Sequence, residues 1–578
     1  MKRWIIAPAI QQPKHIKTEI SDALISILFN RGIQTGDEME HFLRPDYTRD
    51  LKDPFLFLQM RTVCDLIMEA VRSQKSVMIH GDYDADGVCS SVLLYETLKQ
   101  LGLKKVDIYL PHRDKEGYGL NPNTVKMFIR QKIKLMIAVD CGTTNVEEIT
   151  MLNKAKIQTI VIDHHHTGTK IPPVDAILNP YMQDETYPFQ KLASVGVVFK
   201  LVQALRIVRP DLITESFEKW ALDLVAIATV TDCVDLISEN RIFVSYGLKI
   251  LRKTRRIGLQ SLVAVSNIAP ENIATYEIGY MIGPRINAAG RMDHANTAVA
   301  LFLANDAVQA QELAQELNIT NQERQHITET IVNKAKEIIA TWKKIPRVIV
   351  VHQPLEDALG TWPVGLVGLV AGRLVQLYHR PVFVIGSSQE KGFMGSGRSI
   401  PTFDIIDAIA RSCSDLFANF GGHSQACGFT LKSPQEVEIF ATRINEYGEQ
   451  NISDDDIIPA LHIDAMLDFD AITPQFLDEL HLLEPVGMGN PKPLFATQEV
   501  TVTALSAVGA DSQHLRMTLS HHRCTFPAIG FRFGEFIHHI QPNSIIDIAY
   551  ELAWNEWNGS KNIQLRIVDI KKTENGSM

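Results

Sequence analysis

One short segment, His80-Gly81-Asp82-Tyr83-Asp84-Ala85-Asp86-Gly87, contains a histidine and three aspartates. Closely spaced carboxylates repel one another unless a cation lies between them, and carboxylate oxygens with an imidazole suit Mg2+ or Mn2+. Asp-Gly is also common turn chemistry, so a solvated acidic loop is the alternative. Of the two interpretations, we favour a site for a divalent metal ion.

The segment lies between an apolar run and a helix-like run, and this alternation continues downstream. The predicted strands are 76–79, 106–110, 134–139 and 158–162, and the predicted helices are 88–101, 122–130 and 145–154. Strands rich in Val and Ile that alternate with helices form βαβ units and a parallel sheet. Such sheets bind ligands at the carboxyl ends of their strands, where the helices also begin.

Acids and imidazoles follow two more of these strands. Asp140 comes directly after strand 134–139, and the run Asp163 to His166 comes directly after strand 158–162. Because the carboxyl ends of parallel strands meet at one edge, we expect these side chains to lie together. Asp232 ends an apolar helical run; it is either an ordinary polar helix end or the remaining ligand of a two-metal site.

The composition is that of an ordinary globular protein. The 578 residues are too many for one core and suggest three or four domains. No apolar run is long enough to cross a bilayer, and the N-terminus does not resemble a signal peptide, so we expect a cytoplasmic location. Seven cysteines without a CxxC pair argue against a disulfide framework and a zinc ribbon.

The formal charge of −10 excludes a protein coated in positive charge. It does not exclude nucleic acid, because a groove can be basic on an acidic protein. The densest basic run is Lys249 to Arg256, for which a solvated helix face is an equally good interpretation.

Beyond residue 290, the sequence predicts one long helix and, near the end, several short strands. Residues 291–345 contain no glycine or proline and predict one long helix; a coiled-coil arm is the alternative, but its heptads are not sustained. Short β-branched runs at 500–503, 515–519, 545–552 and 563–568 predict a small barrel of the OB type. Its Trp554, Trp557 and Arg566 are either contacts for a single strand or part of the barrel itself.

In combination, the motifs resemble a known superfamily. Asp163-His164-His165, the Gly81 to Gly87 turn, Asp140 and Asp232 resemble the DHH phosphoesterases. Further motifs resemble the RecJ family of single-stranded-DNA exonucleases; they are Pro111 to Arg113 with Glu116 to Leu120, Pro284 to Arg291, Gly395 to Ser399, Gly421 to His423, and Leu483 to Pro491.

The resemblance implies an α/β fold in which a parallel-sheet DHH domain is joined by a long helix to a smaller α/β DHHA1 domain, followed by an OB-fold β-barrel. The implied segments are an N-terminal helical cap (1–50), the DHH domain (51–300), the connecting helix (301–345), the DHHA1 domain (346–452) and the OB-fold domain (457–578).

The resemblance also implies a set of metal ligands. These are His80, Asp84, Asp86, Asp140, His164 and Asp232, which would hold two Mn2+ or Mg2+ ions with Asp140 between them. His165 would donate to a phosphate oxygen or orient a ligand, and Asp163 would support the ligands from behind. His166 is expected at the surface.

Other residues match the substrate site of the family. Arg113, Ser396 and Arg398 match a pocket for the 5′ end of the strand, and Tyr118 would stack on a base. Further expected phosphate contacts are Arg285, Gly422 and His423. For the glycine motifs, tight turns in a packed lobe are the alternative. This chain has Trp362-Pro363 where relatives commonly have Trp-His, which puts any contribution of that histidine in doubt.

The implied activity is that of a monomeric exonuclease that degrades single-stranded DNA 5′ to 3′ to 5′-mononucleotides in repair and recombination. Single-strand-binding protein and a RecQ-type helicase are the implied protein partners, and no membrane is involved. The rival functions are a nanoRNase or cyclic-dinucleotide phosphodiesterase, a DHH-type pyrophosphatase, and a non-catalytic scaffold of the Cdc45 type. Length and the C-terminal strands favour the exonuclease, and the complete ligand set argues against the scaffold.

Overall fold

The computed structural model describes residues 2–10, 20–353, 362–388, 392–557 and 559–573. The chain divides into two compact units. One comprises residues 1–50, 235–238 and 458–578, and the other comprises residues 51–234 and 239–457. The predicted domain boundaries stay predictions, but the segment expected to form a separate N-terminal cap belongs to the same unit as the C-terminal strands.

The strands are β1 (Arg3–Ile6), β2 (Val77–His80), β3 (Val106–Tyr109), β4 (Leu135–Val139), β5 (Gln158–Ile162), β6 (Ala176–Leu178), β7 (Ile349–His352), β8 (Val382–Ser388), β9 (Gly392–Arg398), β10 (Phe417–His423), β11 (Ala426–Leu431), β12 (Ala460–Ile463), β13 (Ala465–Met466), β14 (Phe495–Val508), β15 (His514–His521), β16 (Cys524–Gly530), β17 (Ile545–Trp557) and β18 (Ser560–Lys572).

The α-helices are α1 (Asp22–Asn30), α2 (Gly36–Leu43), α3 (Met60–Ser73), α4 (Ala85–Gln100), α5 (Arg113–Glu116), α6 (Pro122–Arg130), α7 (Val146–Lys154), α8 (Ser194–Val208), α9 (Glu215–Trp220), α10 (Leu222–Thr231), α11 (Ser238–Leu251), α12 (Ile257–Val265), α13 (Thr275–Glu277), α14 (Gly283–Met292), α15 (Asn296–Leu303), α16 (Ala307–Ala340), α17 (Val364–Tyr378), α18 (Ile405–Ser412), α19 (Glu436–Asn451) and α20 (Pro474–His481). A π-helical turn, Ile278–Ile282, leads into α14.

Short 3-10 turns complete the secondary structure, at Pro54–Leu56, Pro270–Asn272, Ser414–Leu416, Asp455–Ile457, Phe469–Ala471, Ala510–Ser512 and Gly534–His538.

The predicted parallel sheet is confirmed. Its strand order is β3-β2-β4-β5-β6, and every pairing in it is parallel. All residues of β2 and β4 are buried, as expected for strands covered by helices on both faces. The carboxyl ends of β2, β4 and β5 are therefore neighbours, and each is followed by acids or histidines.

The second sheet belongs to the same unit and is mixed. Its order is β10-β11-β9-β8-β7, with only the β7–β8 pairing parallel. Helix α16 packs against this sheet, because Ile331 and Ile339 share a core with Val367 and Val384. The apolar stripe of the helix is thus covered within the chain, as expected for a connecting helix and not for a coiled-coil arm.

The prediction of one uninterrupted helix over residues 291–345 was wrong in detail. The chain leaves helical geometry at Asp293, whose φ is −151° and ψ −110°, and again before Asp306. Asp306 caps α16 by accepting hydrogen bonds from the N–H groups of Val308 and Gln309. A capping aspartate can start a new helix without glycine or proline nearby, so the absence of these two residue types did not exclude a break in the helix.

The C-terminal strands form a closed barrel, as predicted. The barrel runs β14-β15-β16-β18-β17 and closes through pairing of β14 with β17. The strands are longer than their apolar runs, and β16, which contains Pro527, was not predicted although its burial alternates along the strand. Trp554 packs partly buried against the barrel core, Arg566 is exposed, and the side chain of Trp557 lies outside the described residues.

The N-terminal segment contains two helices, α1 and α2, and also a strand. β1 pairs in parallel with β12, and Leu24 and Ile25 of α1 lie in one core with Phe469 and Phe495. Within the part of the chain that the structure describes, no helix has both the length and the apolar character needed to cross a membrane.

Candidate active site

The acidic segment forms a rigid turn between β2 and α4. Asp84 is the N-cap of α4, and its Oδ1 accepts hydrogen bonds from the N–H groups of Asp86 and Gly87 at 3.0 and 3.1 Å. Asn287 accepts the N–H of Ala85 at 2.7 Å. A Cβ at Gly87 would lie 2.4 Å from the carbonyl oxygen of Asp82, so this turn requires glycine. The backbone thus fixes where the carboxylates point.

Five of the six predicted metal ligands converge. Their donor atoms, with those of two further residues, fall into three groups within which all atoms lie 4.8 Å or less apart: Asp140, His164 and His165; Asp86, His164 and Asp232; and Asp82, Asp84 and Asp140. The Nε2 atom of His164 lies 3.3 Å from Oδ1 of Asp140 and 3.6 Å from Oδ2 of Asp232. Three strand ends and the end of α10 therefore meet at one cluster of acids, as predicted.

Several buried polar atoms of the acidic cluster have no hydrogen-bond partner within the protein. Oδ1 of Asp82, Oδ1 of Asp140 and Nε2 of His164 are buried without a well-formed hydrogen bond. Buried polar atoms are normally satisfied, so orphaned atoms that face one another require an explanation. An ion placed between them would be the missing partner, and oxygen donors with one imidazole fit Mn2+ or Mg2+.

Electrostatics support the same fit. Burial, and then the charges of Asp86 and Asp84, raise the pKa of Asp140 well above its usual range. Burial and the charge of Asp84 raise the pKa of Asp86 to about 7, and burial raises that of Asp232. The carboxylates therefore resist ionisation together, and a divalent cation is what would stabilise the ionised set.

His80 is the predicted ligand that these three groups do not include. Its ring is fully buried at the end of β2 and stacks near Tyr109, with centroids 5.7 Å apart. Neither ring nitrogen has a well-formed hydrogen bond, and burial lowers its pKa to about 4. A neutral imidazole with free nitrogens suits a ligand, but its role stays a prediction.

Asp163 holds the histidines in place from behind. Its Oδ1 accepts hydrogen bonds from the His164 N–H and from His165 Nδ1, both at 2.8 Å, and its Oδ2 accepts the Thr143 N–H at 3.1 Å. Burial opposes ionisation of Asp163, but the hydrogen bond and charge of His165 lower its pKa to about 2. In return Asp163 raises the pKa of His165 against the effect of burial, which keeps the ring a proton donor at higher pH.

Tyr118 lies beside this pair. Its hydroxyl donates to the carbonyl oxygen of Asp140 at 3.1 Å and lies 3.0 Å from Nδ1 of His165. The residue is 45% exposed, so part of its ring is free for a base to stack on.

A group of arginines converges next to the acids. Arg398 donates to the hydroxyl of Ser396 at 2.8 Å, and the predicted role of both residues in a pocket for the 5′ end stays a prediction. Burial, together with the charges of Arg113, Arg324 and Arg398, lowers the pKa of Arg291 to about 10, while Asp84 acts in the opposite direction. Arg291 thus interacts with three other guanidinium groups and with the acidic turn, and Arg113 also acts on Arg398. We call these four residues the arginine cluster (Arg113, Arg291, Arg324 and Arg398). Such mutual repulsion is relieved by a polyanion such as phosphate.

The other predicted phosphate contacts are placed differently. Arg285 donates to Oδ1 of Asn318 at 3.0 Å and to the carbonyl oxygen of Met281 at 2.6 Å. Gly422 has φ of 144°, and a Cβ there would lie 2.2 Å from the Ala426 carbonyl oxygen, so the β10–β11 hairpin requires glycine. The His423 ring on that hairpin lies 6.0 Å from the ring of His166, which is exposed as predicted.

Three residues of the site were not singled out by the sequence. Asp82 lies in the acidic segment itself, and Arg291 lies in a motif that carried the family resemblance. Arg324 lies in α16 with no motif around it, so only the fold brings it to the cluster. Pro363 occupies the position before α17 and offers no side-chain hydrogen bond there.

The basic run Lys249 to Arg256 is not simply a solvated helix face. Arg256 donates to both Glu96 and Asp223, and Arg255 lies over the ring of Trp220 at 3.9 Å. The C-terminal end of this basic run therefore packs against other residues of the larger unit.

The chain matches three family models in order. These are the DHH family N-terminal domain over residues 76–229, the DHHA1 domain over 355–450 and the RecJ OB domain over 463–569. They cover the acidic cluster except Asp232, the second sheet except β7, and most of the barrel respectively.

Curated relatives and solved structures agree with these models. The single-stranded-DNA-specific exonuclease RecJ of Bacillus subtilis strain 168 is 36% identical, over 99% of this chain and 71% of the relative. The protein of the same name from Haemophilus influenzae is 30% identical, over 93% of this chain and 94% of the relative.

The crystal structure of Thermus thermophilus RecJ in complex with Mn2+ has a TM-score of 0.83 and 27% identity, and the match covers 99% of this chain and 80% of that one. The same protein in complex with Mg2+ gives a TM-score of 0.76 at 25% identity, over 99% and 79% of the two chains. Identity at this level over nearly the whole length, with the domains in the same order, establishes that this chain belongs to the RecJ family of single-stranded-DNA-specific exonucleases.

Proposed function

We propose that this protein is a metal-dependent exonuclease that hydrolyses single-stranded DNA from its 5′ end and releases 5′-mononucleotides. The observation that carries the proposal is the meeting of two complementary clusters. One is a set of buried carboxylates and imidazoles without counter-ions, and the other is the arginine cluster. A scissile phosphate with a free 5′ phosphate beside it satisfies both sets at once.

Two divalent ions, Mn2+ or Mg2+, would be held by Asp84, Asp86, Asp140, His164 and Asp232, with His80 as a further ligand. When bound, they lower the pKa of water and stabilise charge on the attacking and leaving oxygens of an in-line displacement. The protein's own residues supply the positioning.

His165 carries out the proton chemistry that the side chains can supply. Its ring is held by Asp163 at 2.8 Å, and its raised pKa lets it hold a proton toward a phosphate oxygen. Tyr118 contacts the same ring and would stack on the terminal base. Arg113, Arg398 and Ser396 would bind the 5′ phosphate, with Arg291 and Arg324 beside them, and Arg285, Gly422 and His423 would contact phosphates nearby.

Each segment of the chain then has a separate role. The DHH segment (51–300) cleaves, the DHHA1 segment (346–452) binds substrate, the helix between them links the two, and the OB segment (457–578) supplies a further single-strand contact. As the family resemblance implies, we propose that the monomer works in the cytoplasm in repair and recombination, with single-strand-binding protein and a RecQ-type helicase as partners to be tested.

The test is Mn2+-dependent release of label from 5′-labelled and 3′-labelled single strands, beside the matching duplex and a dinucleotide. We expect 5′ label to leave first as mononucleotide from the long single strand, and the duplex to resist. Cleavage of the dinucleotide alone would identify a small-oligonucleotide phosphodiesterase instead, and no cleavage with either metal would favour the scaffold. Asp140→Ala should be inactive, while Asp107→Asn, an exposed acid on β3 of the same sheet, should retain activity.

A further inference from the structure

A second group of metal-binding side chains lies in the other unit, on the barrel. Donor atoms of Asp468, His521 and His522 all lie within 4.8 Å of one another. Asp468 precedes the 3-10 turn Phe469–Ala471, His521 ends β15 and His522 follows it in the turn, so residues distant in sequence meet here. The rings of His521 and His522 are 4.0 Å apart and nearly perpendicular.

The local structure leaves these groups available. Asp468 occupies the N-cap position of its turn, but its carboxylate makes no capping hydrogen bond to that turn. Nδ1 of His521 is inaccessible to solvent and has no hydrogen-bond partner. His522 is exposed and has φ of 51°, the left-handed region that non-glycine residues occupy at a cost. The hairpin thus turns both rings toward one carboxylate without pairing them otherwise.

We infer that Asp468, His521 and His522 form a site for a borderline divalent transition metal ion, of which Zn2+ is the best example. Two imidazole nitrogens and one carboxylate oxygen are three ligands of a tetrahedral zinc site, with the fourth position open to water. Imidazole-rich sites favour Zn2+ over the Mn2+ and Mg2+ that suit carboxylate-rich sites. The donor set therefore differs in kind from that of the acidic cluster.

The consequence for the barrel is a cross-link. An ion held by all three residues would tie the Phe469–Ala471 turn to the β15–β16 hairpin. The ring of Phe469 already lies 5.6 Å from that of His521, and Cys524, which pairs with His521 across the hairpin, lies 3.0 Å from the carboxylate of Asp470. Binding would thus reinforce an existing contact between the two segments and require no rearrangement of the fold.

The test is the amount of zinc bound by the full-length protein after chelation, measured by equilibrium dialysis against Zn2+ and elemental analysis. The variant is His522→Ala, whose side chain is exposed, and the matched control is His462→Ala, an exposed histidine on β12 of the same unit. We expect wild type and His462→Ala to bind one more equivalent than His522→Ala, and Asp468→Asn to bind that equivalent at least about tenfold more weakly.

Thermal unfolding provides the second readout. Zn2+ should raise the unfolding temperature of the barrel in the wild type by more than in His522→Ala, because an ion that binds only the folded state stabilises it. Mn2+ binding to the acidic cluster should be equal in the two proteins, since the proposed zinc site shares no residue with that cluster. Equal zinc content and equal zinc-dependent stabilisation in wild type and His522→Ala would overturn the inference.

Discussion

Two buried charged regions of the larger unit differ in whether the protein itself compensates their charges. Around Glu239, every charge has a partner: Lys200 donates to its carboxylate at 3.0 Å and to the Lys52 carbonyl at 2.6 Å, and Tyr187 also donates to the carboxylate. At the acidic cluster, carboxylates face one another, and several of their buried atoms have no hydrogen bond. Both regions are buried, but only the first is complete without a ligand.

The difference indicates which buried charges serve the fold and which serve function. A buried ion pair with full hydrogen bonding is a structural element, and breaking it costs far more than a surface pair does. A buried set of like charges destabilises the protein until something binds, so its retention points to a ligand. Substitutions in the two regions should therefore have opposite effects on stability and activity.

The largest expected effect is on catalysis. Asp140→Asn keeps the size of the side chain and removes one charge from the centre of the cluster. We expect nuclease activity to fall at least about 10³-fold, equivalent to about 4 kcal/mol of transition-state stabilisation, because the metal ions lose a central ligand. The metal-free variant should be at least as stable as the wild type in urea. A variant that keeps its activity, or one that unfolds readily without metal, would place Asp140 with the structural charges.

Lys200→Met should instead reduce stability and leave catalysis intact. Glu239 would keep its carboxylate buried without its cation, so the free energy of unfolding should fall by about 3–5 kcal/mol. Activity per folded molecule should be unchanged. The matched control is Lys219→Met, whose ion pair with Glu215 lies at the surface and should leave stability nearly unchanged. Adding Glu239→Gln to Lys200→Met should recover part of the loss; no recovery would mean that packing, not charge, explains the effect.

Metal removal should make stability depend on pH in a defined direction. The pKa values of Asp140, Asp232 and Asp86 are raised in the folded protein, that of Asp86 to about 7. The folded state therefore binds more protons than the unfolded state above about pH 4, and stability falls as pH rises through the folded-state values. Burial lowers the pKa values of His80 and His164 to about 4, which acts in the opposite direction below about pH 6.5. With a chelator, we therefore expect a loss on the order of 2 kcal/mol between about pH 6.5 and 8.

Saturating Mn2+ should abolish this decline, because a bound ion favours the ionised carboxylates. Urea unfolding at several pH values, with Mn2+ and with chelator, measures it. Asp140→Asn should show a shallower decline in chelator, and equal slopes in all these conditions would contradict the assignment of the cluster.

The smallest expected effect concerns the arginine cluster. Arg324→Gln removes the guanidinium group that α16 places near Arg291, together with its hydrogen bond to Asn321 in the same helix. We expect about a tenfold loss of kcat/KM on a 5′-phosphorylated single strand, since a charged contact to phosphate contributes about 1–2 kcal/mol. The loss should shrink on a strand with a 5′ hydroxyl. Arg373→Gln, an exposed arginine on α17, is the control, and an equal loss in both variants would count against a specific phosphate contact.

The sequence predicted what is encoded locally. The strand ends at Val139 and Ile162 followed from apolar runs, and the end of β2 was predicted at Ile79, one residue early. The position of the acids at one sheet edge followed from the parallel topology. What it could not predict depends on distant contacts. Arg324 carries no motif and reaches the site only through the path of α16, and the break before Asp306 depends on one capping hydrogen-bond pair rather than on composition.

The barrel also shows what local sequence patterns could not predict. Its predicted strands were too short because apolar runs mark only the part of a strand that faces the core. The pairing of β1 with β12 was not predicted, since no periodicity within residues 1–50 identifies a partner so far along the chain.

That pairing has a consequence for how the protein is made. Synthesis proceeds from the N-terminus, so Arg3–Ile6 and the apolar face of α1 leave the ribosome long before β12 and Phe469 exist to cover them. The larger unit, which is encoded between them, can fold before β1 and α1 meet their partners, and a later step joins β1 to β12 and α1 to Phe469. Residues of β1 and α1 are therefore synthesised long before their native contacts exist, and deleting them should destabilise the unit that contains the barrel.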